Sequence, residues 1–109
     1  MACGPVRREH VRLRENHAAL FQCAAFYPDG CYSEAGLHRL CEALFSGEAG
    51  HVLRVKGTLR TAGGLLMLNA TQNSIDVSPC GGEAVLNVIG HHLRRRVIRK
   101  YLSECAGTN

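Results

Sequence analysis

Cysteine and histidine are the residue types in this chain with the widest chemistry, and the sequence has six of each. Cys80 with His91 or His92 could form a nucleophile and base, or these side chains could bind a metal with Cys23 or Cys31. The enzyme hypothesis has only residue type behind it, because no orienting third group is evident. Adjacent histidines at a helix start point in different directions. The pattern therefore predicts no catalytic residue, and leaves a Cys/His metal-binding module as an alternative function.

The cysteine spacing also speaks against a disulfide framework. No C-x-x-C pair occurs, so neither a structural zinc motif nor a redox motif has the spacing it needs. A hydrophobic core of this size does not require disulfide bonds for stability, and residues 1–20 lack the apolar segment of a signal peptide. We therefore interpret most of the thiols as reduced, small apolar core residues and predict no cofactor.

A second chemical feature is the cationic side of the stretch HVLRVKGTLRT, residues 51–61. With the two-residue period of a strand, Arg54, Lys56 and Arg60 share one side, and the other side carries Leu53, Val55, Gly57 and Leu59. Such cations could contact phosphate or an acidic protein surface. Proteins that bind single-stranded nucleic acid usually have aromatic residues between the cations, and no aromatic residue lies on this side. Nucleic-acid binding is thus a weaker alternative than protein docking, and a solvated surface is the simplest interpretation.

Length and composition limit what can position these residues. The chain has 109 residues, a formal net charge of +4 and 46% hydrophobic residues, which are values for one globular domain. No apolar run reaches the roughly 18 residues of a membrane span. We expect a cytoplasmic protein without a membrane partner.

The first half of the chain predicts one strand and one helix. Residues 18–27 form a continuous apolar run that ends at Pro-Asp-Gly, which favours a buried strand. The helix follows at SEAGLHRLCEALF, with Ser33 at the N-cap and Tyr32 and Leu37 placed as a hydrophobic staple. Its apolar residues recur at helical spacing and form one buried stripe. Residues 1–16 show no such period and suit an arm or a short exposed helix.

The second half predicts four strands and a closing helix. Gly63-Gly64 separates the cationic strand from residues 65–71, and a third strand follows at 74–77 with Ile75 and Val77 facing inward. Residues 84–90 are apolar on both faces apart from Asn87, so this strand should lie centrally in the sheet. The last helix spans about 92–105.

This element order predicts an α+β two-layer sandwich. The order is β-α-β-β-β-β-α, and two helices with one apolar stripe each must cover one face of a mainly antiparallel sheet. We assign residues 1–17 to an N-terminal arm or linker, 18–106 to the domain and 107–109 to a tail.

Several of these segments together resemble the C-terminal domain of CobW-type GTPases, the P-loop GTPases of metal trafficking and cobalamin biosynthesis. The resemblance rests on LRVKG at 53–57, on NVIG-x-x-L at 87–93, and on Phe-Tyr-Pro before the first helix. The order and spacing of these pieces cover roughly residues 18–105.

The resemblance implies an accessory interaction or regulatory domain that acts beside a nucleotide-binding domain. The sequence contains no G-x-x-x-x-G-K-[ST] loop, so any GTPase activity would belong to a separate domain. The expected partner is a GTPase domain, in the same or a separate chain, or a metal-client protein. The expected docking residues are Arg54, Lys56 and Arg60.

Overall fold

The computed structural model describes residues 6–15 and 20–106, which form one mixed sheet and two helices. The elements, in chain order, are β1 (Val6–Glu15), β2 (Leu20–Pro28), β3 (Cys31–Tyr32), α1 (Glu34–Leu44), β4 (His51–Thr61), β5 (Gly64–Thr71), β6 (Ser74–Pro79), β7 (Val85–His91) and α2 (Arg95–Glu104). The predicted α+β sandwich is confirmed. The tail at 107–109 and Cys3 lie outside the described residues.

The sheet places its last strand in the middle. The strand order is β1-β2-β7-β4-β5-β6, every pair along it is antiparallel, and the short β3 adds a parallel pair with β4. The central position predicted for residues 84–90 is confirmed, because β7 pairs with both β2 and β4. Apolar side chains on both faces of β7 fit this position, since both neighbours shield them.

The N-terminal segment differs from its prediction. Residues 6–15 form β1, which pairs along β2, rather than an arm or a short helix. Its sequence, VRREHVRLRE, has too few apolar residues for a periodic signal, so pairing to the β2 edge is what makes it a strand. The boundary of the domain near residue 17 stays a prediction.

Helix α1 begins where its sequence signals indicate. The Ser33 hydroxyl accepts a hydrogen bond from the Gly36 backbone N–H at 2.9 Å, which satisfies one of the unpaired N–H groups of the first turn. Tyr32 and Leu37 are both buried, as the staple requires. Tyr32 also donates its hydroxyl to the Leu102 carbonyl at 2.7 Å, which links the helix start to α2.

The core lies between the helices and one side of the sheet, called here the helix face. It combines α1 and α2 residues with every second residue of the central strands, and its largest members are Phe26, Tyr32, Leu37, Leu40, Leu44, Leu59, Leu68, Leu86, Ile98 and Leu102. Cys41 is buried among them, as predicted for a core cysteine. Burial, followed by the nearby Cys105, raises the pKa of the Cys41 thiol to about 11.

Two apolar residues predicted to face the core do not reach it. Leu53 is 42% exposed and Val77 is 41% exposed. For Leu53 the reason is a β-bulge, because Val52 pairs with Gly90 and Arg54 with Ile89, leaving one extra residue between them. For Val77 the reason is its position on β6, the last strand of the sheet. There Val77 lines a groove of about 350 Å³ together with Tyr32 and Leu66.

Candidate functional site

The bulge at Leu53 decides which side chains of β4 share a face. Before it, Val52 is buried on the helix face; after it, Val55, Gly57 and Leu59 are buried there. The strand therefore changes phase once, and the predicted pattern is correct only from Arg54 onward.

All three predicted cations lie on the opposite side of the sheet. Arg54, Lys56 and Arg60 are exposed and alternate with the buried residues of β4. Thr58 lies between them on this side and is only 7% exposed, so the surface around it is shielded by neighbours. We call this side of the sheet the open face, because both helices pack on the other side.

The open face is half apolar. Alternation along the strands places there, beside the cations of β4, a set of half-buried residues from three other strands: Cys23, Ala25, Leu65, Met67, Asn69, Val85, Asn87 and Ile89. Antiparallel sheets with one solvated face normally alternate apolar with polar residues, and the solvated side is polar. This sheet keeps aliphatic residues on both sides of its central strands.

A polar row crosses the open face at Lys56. The sheet register pairs Lys56 with Asn87 on one side and with Asn69 on the other, and Asn69 in turn with Asp76 of β6. Asn69 also accepts a hydrogen bond from Arg54 Nε at 3.2 Å. The row holds the Arg54 guanidinium toward β5 and brings one carboxylate, Asp76, to the edge of an otherwise cationic surface.

The structure separates the weak metal and catalytic candidates named from the sequence. Cys80 follows β6, and its thiol lies 3.8 Å from the Thr58 hydroxyl. Thr58 pairs with Val85 at one end of β7, and His51 pairs with His91 at the other. At about 3.3 Å per residue, these two ends are roughly 20 Å apart. Cys80 therefore cannot act with His91 or His92 on one substrate or ion.

His91 and His92 differ in burial and in backbone conformation. His91 is the last residue of β7 and is half-buried, and its ring contacts Phe21 edge-to-face with ring centres 6.3 Å apart. His92 is exposed and has a backbone φ of 53°, in the left-handed region, where the chain turns toward α2. Within the described part of the chain, no group of three or more His, Cys, Asp or Glu side chains could hold a metal ion.

Sequence reasoning overlooked one pairing at this end of the sheet. His51, the first residue of β4, lies directly opposite His91, and the two ring centres are 5.8 Å apart at an interplanar angle of 60°. The two residues are forty positions apart in the sequence, so only the β4–β7 register could have revealed the pair.

The described cysteines are free thiols: Cys23, Cys31, Cys41, Cys80 and Cys105. Cys23 lies half-buried on the open face rather than in the core, and Cys31 is exposed. Neither helix that the structure describes is long and apolar enough to cross a membrane.

Comparison with known proteins agrees with the fold. Comparisons with curated proteins and with solved structures returned no significant match. The family model of the cobalamin synthesis protein cobW C-terminal domain matches residues 21–106, from the start of β2 to the residues after α2. The match covers well over half of the chain and includes both helices and all strands but β1. The chain therefore belongs to the CobW C-terminal domain family.

Proposed function

We propose that this chain is an accessory docking domain whose open face binds a CobW-type GTPase domain. Membership of a family described as a C-terminal domain supports a role beside another domain. The proposed docking residues are Arg54, Lys56 and Arg60. The observation that carries the proposal is the composition of the open face, which joins these three cations to a half-buried aliphatic surface.

The aliphatic part of the face would supply affinity. Leu65, Met67, Val85 and Ile89 keep part of their surface in water in the isolated domain. Covering such surface contributes roughly 25 cal/mol for each Å² removed from water. They lie on β5 and β7, the two strands paired with β4, so little conformational entropy is lost when a partner covers them.

The cations would select and orient the partner. Arg54, Lys56 and Arg60 project from one strand, and the only carboxylate that the described register places among them is Asp76 at the rim. A surface of this sign favours an acidic partner patch and speeds its encounter, and the effect weakens as salt screens the charges. The same arrangement would serve for a metal-client protein with an acidic surface.

The test is a titration of the purified chain with the GTPase domain of a CobW-type protein, followed by calorimetry at low and at physiological salt. The triple variant Arg54→Ser, Lys56→Ser and Arg60→Ser should weaken binding at least about tenfold and flatten its dependence on salt. The matched control removes three cations from α2 instead, as Arg96→Ser, Arg99→Ser and Lys100→Ser, and should bind like the wild type.

An independent variant tests the aliphatic part. Met67→Glu places a carboxylate at the centre of the open face and should abolish binding while the domain stays folded. Equal loss in both triple variants would mean that net charge alone drives association. Unchanged affinity in the open-face triple and in Met67→Glu, or binding of single-stranded oligonucleotide in place of the GTPase domain, would overturn the proposal.

A further inference from the structure

The geometry points to a two-histidine site for a divalent transition-metal ion, such as Zn²⁺ or Ni²⁺, formed by His51 and His91 across the β4–β7 ladder. This inference is independent of the docking proposal, because it rests on the end of the ladder and not on the cations. It also differs from the candidate set drawn from the sequence, which lacked His51 and included the distant Cys80.

The distance between the two rings fits a shared ion. With a metal–nitrogen bond of about 2.1 Å, an ion lies about 3.2 Å from the centre of each imidazole that binds it. Two such rings then have centres between about 4.5 Å and 6.4 Å apart, for angles at the metal from a right angle to a straight line. The observed separation of 5.8 Å lies inside this range.

Only a small rearrangement separates the observed pair from a binding pair. The interplanar angle of 60° is an edge-to-face contact, so one ring must turn for both lone pairs to point at one ion. The torsion that turns an imidazole, χ2, is broad and costs little. His51 is exposed and can make this turn, whereas Phe21 packs against the ring of His91.

The backbone around the pair is fixed on both strands. The Arg94 N–H donates to the Ala49 carbonyl at 2.9 Å, which ties the segment before β4 to the segment after β7. Gly50, with φ of 108°, lies so close to His92 that an added Cβ would be 2.9 Å from its carbonyl carbon. The Leu93 N–H donates to the Gln22 side chain at 2.7 Å, which joins the same turn to β2. Ligands held in place in this way lose little entropy when an ion binds.

The cation of β4 nearest to the pair and the first arginine after it in the turn to α2 are both engaged in hydrogen bonds. Arg54, the nearest cation along β4, donates to Asn69 and is thereby drawn toward β5, on the side away from β7. Arg94 donates to the Glu48 carbonyl. Neutral imidazole is a preferred ligand of zinc, nickel and copper ions. Water would fill the remaining coordination positions, because His51 faces solvent.

The test uses Ni²⁺ as the probe, because it is paramagnetic and broadens the resonances of nearby residues. Backbone amide spectra of the whole chain are recorded during a Ni²⁺ titration, so that each binding site is located by residue. We expect the first broadening at His51, His91 and their sheet neighbours. The melting temperature should rise with Ni²⁺ by mass action, since the ion links β4 to β7 in the folded state.

Variants assign the ligands. His51→Asn and His91→Asn should each weaken Ni²⁺ binding at least about tenfold, since each removes one of two ligands. The controls His38→Asn, on α1, and His92→Asn, next to the site, should bind like the wild type. If His91→Asn fails to fold, the exposed His51 decides the result alone. Broadening centred on His38 or on Cys31, or wild-type affinity in His51→Asn, would overturn the inference.

Discussion

The two sides of β4, a strand of eleven residues, differ in how deeply their side chains are buried. On the helix face Val55 and Leu59 are completely buried, and Gly57 lies against β7. On the open face Arg54, Lys56 and Arg60 are exposed beside half-buried neighbours. Stability should therefore depend on the first set, whereas recognition is left to the second. Substitutions at adjacent positions of the strand can separate the two.

The largest effect is expected for Val55→Asp. The change would place an unpaired carboxylate in a site with no solvent exposure, at a cost of at least about 4 kcal/mol, enough to unfold a domain of this size. Circular dichroism at 25 °C should show an unfolded or aggregated chain. The matched control Lys56→Asp, one residue away on the open face, should stay folded. A cooperative melt near the wild-type temperature for Val55→Asp would break the comparison between the faces.

The next effect is expected for Gly57→Ala. A Cβ at this position would lie 2.6 Å from the Leu86 Cα and still closer to the Val85 carbonyl oxygen, so β4 and β7 would have to move apart. We expect a loss of about 1–3 kcal/mol in the free energy of unfolding, measured by urea denaturation.

Gly63→Ala is the control for this change, because no atom lies within 4 Å of an added Cβ there. It should alter the free energy of unfolding by less than about 0.5 kcal/mol. Equal losses at the two glycines would show that the close approach of β4 to β7 does not determine the cost of Gly57→Ala.

The pH dependence of stability provides a further test of burial on the helix face, through the thiol of Cys41. The pKa of Cys41 is about 11 in the folded chain against an ordinary value of 9.0, because burial disfavours the thiolate. The unfolded chain thus loses this proton first as the pH rises. The stability that Cys41 contributes is complete below pH 9 and is lost between about pH 9 and 11, by on the order of 2 kcal/mol.

Urea midpoints at pH 8 and pH 10.5 measure this loss. Cys41→Ala should lose less stability over this interval than the wild type, whatever its stability at pH 8. Cys23→Ala, on the open face, leaves Cys41 in place and should keep the wild-type dependence. Identical pH profiles for all three chains would show that Cys41 is accessible to solvent in the folded state.

The smallest effect is expected for the triple change of Arg54, Lys56 and Arg60 to Ser. The cations are exposed, and the hydrogen bond from Arg54 to Asn69 lies on the surface, so their contribution to stability is within about 1 kcal/mol. The melting temperature should stay within a few degrees of the wild type in a thermal scan. Unfolding of the triple variant would show that the open face is structural.

The sequence predicted those parts of the fold that local patterns determine. Ser33, the helix stripe after it and the hairpin between β4 and β5 each carry their signal within a few residues, and the structure confirms them. The turn itself is Ala62-Gly63, one residue earlier than predicted, because Gly64 already pairs with Thr61. The central place of β7 was predictable because both of its faces are apolar. The three cations were correctly placed on the outer side of β4, because alternation holds from Arg54 to Arg60.

What the sequence could not predict depends on partners distant along the chain. The bulge at Leu53 arises from pairing with β7, and no residue type at that position indicates it. The exposure of Val77 depends on how far the helices extend over the sheet. The His51–His91 pair exists only in the register that the bulge helps to set. Sequence periodicity predicts which side chains are buried only where the ladder of paired strands is continuous. In the folded sheet a bulge interrupts the ladder at Leu53, and the ladder ends at β6.

The insertion of β7 between β2 and β4 has a consequence for biosynthesis. Hydrogen bonds join β1 to β2 and β4 to β5 and β6, but these two groups meet in the sheet only through β7. A ribosome synthesises β7 after all of these strands, so both groups emerge with edges that stay unpaired until β7 follows. Folding that depends on such distant contacts is slow. Truncation before Val85 would therefore leave two exposed sheet fragments, prone to pair with other nascent chains, rather than a shortened domain.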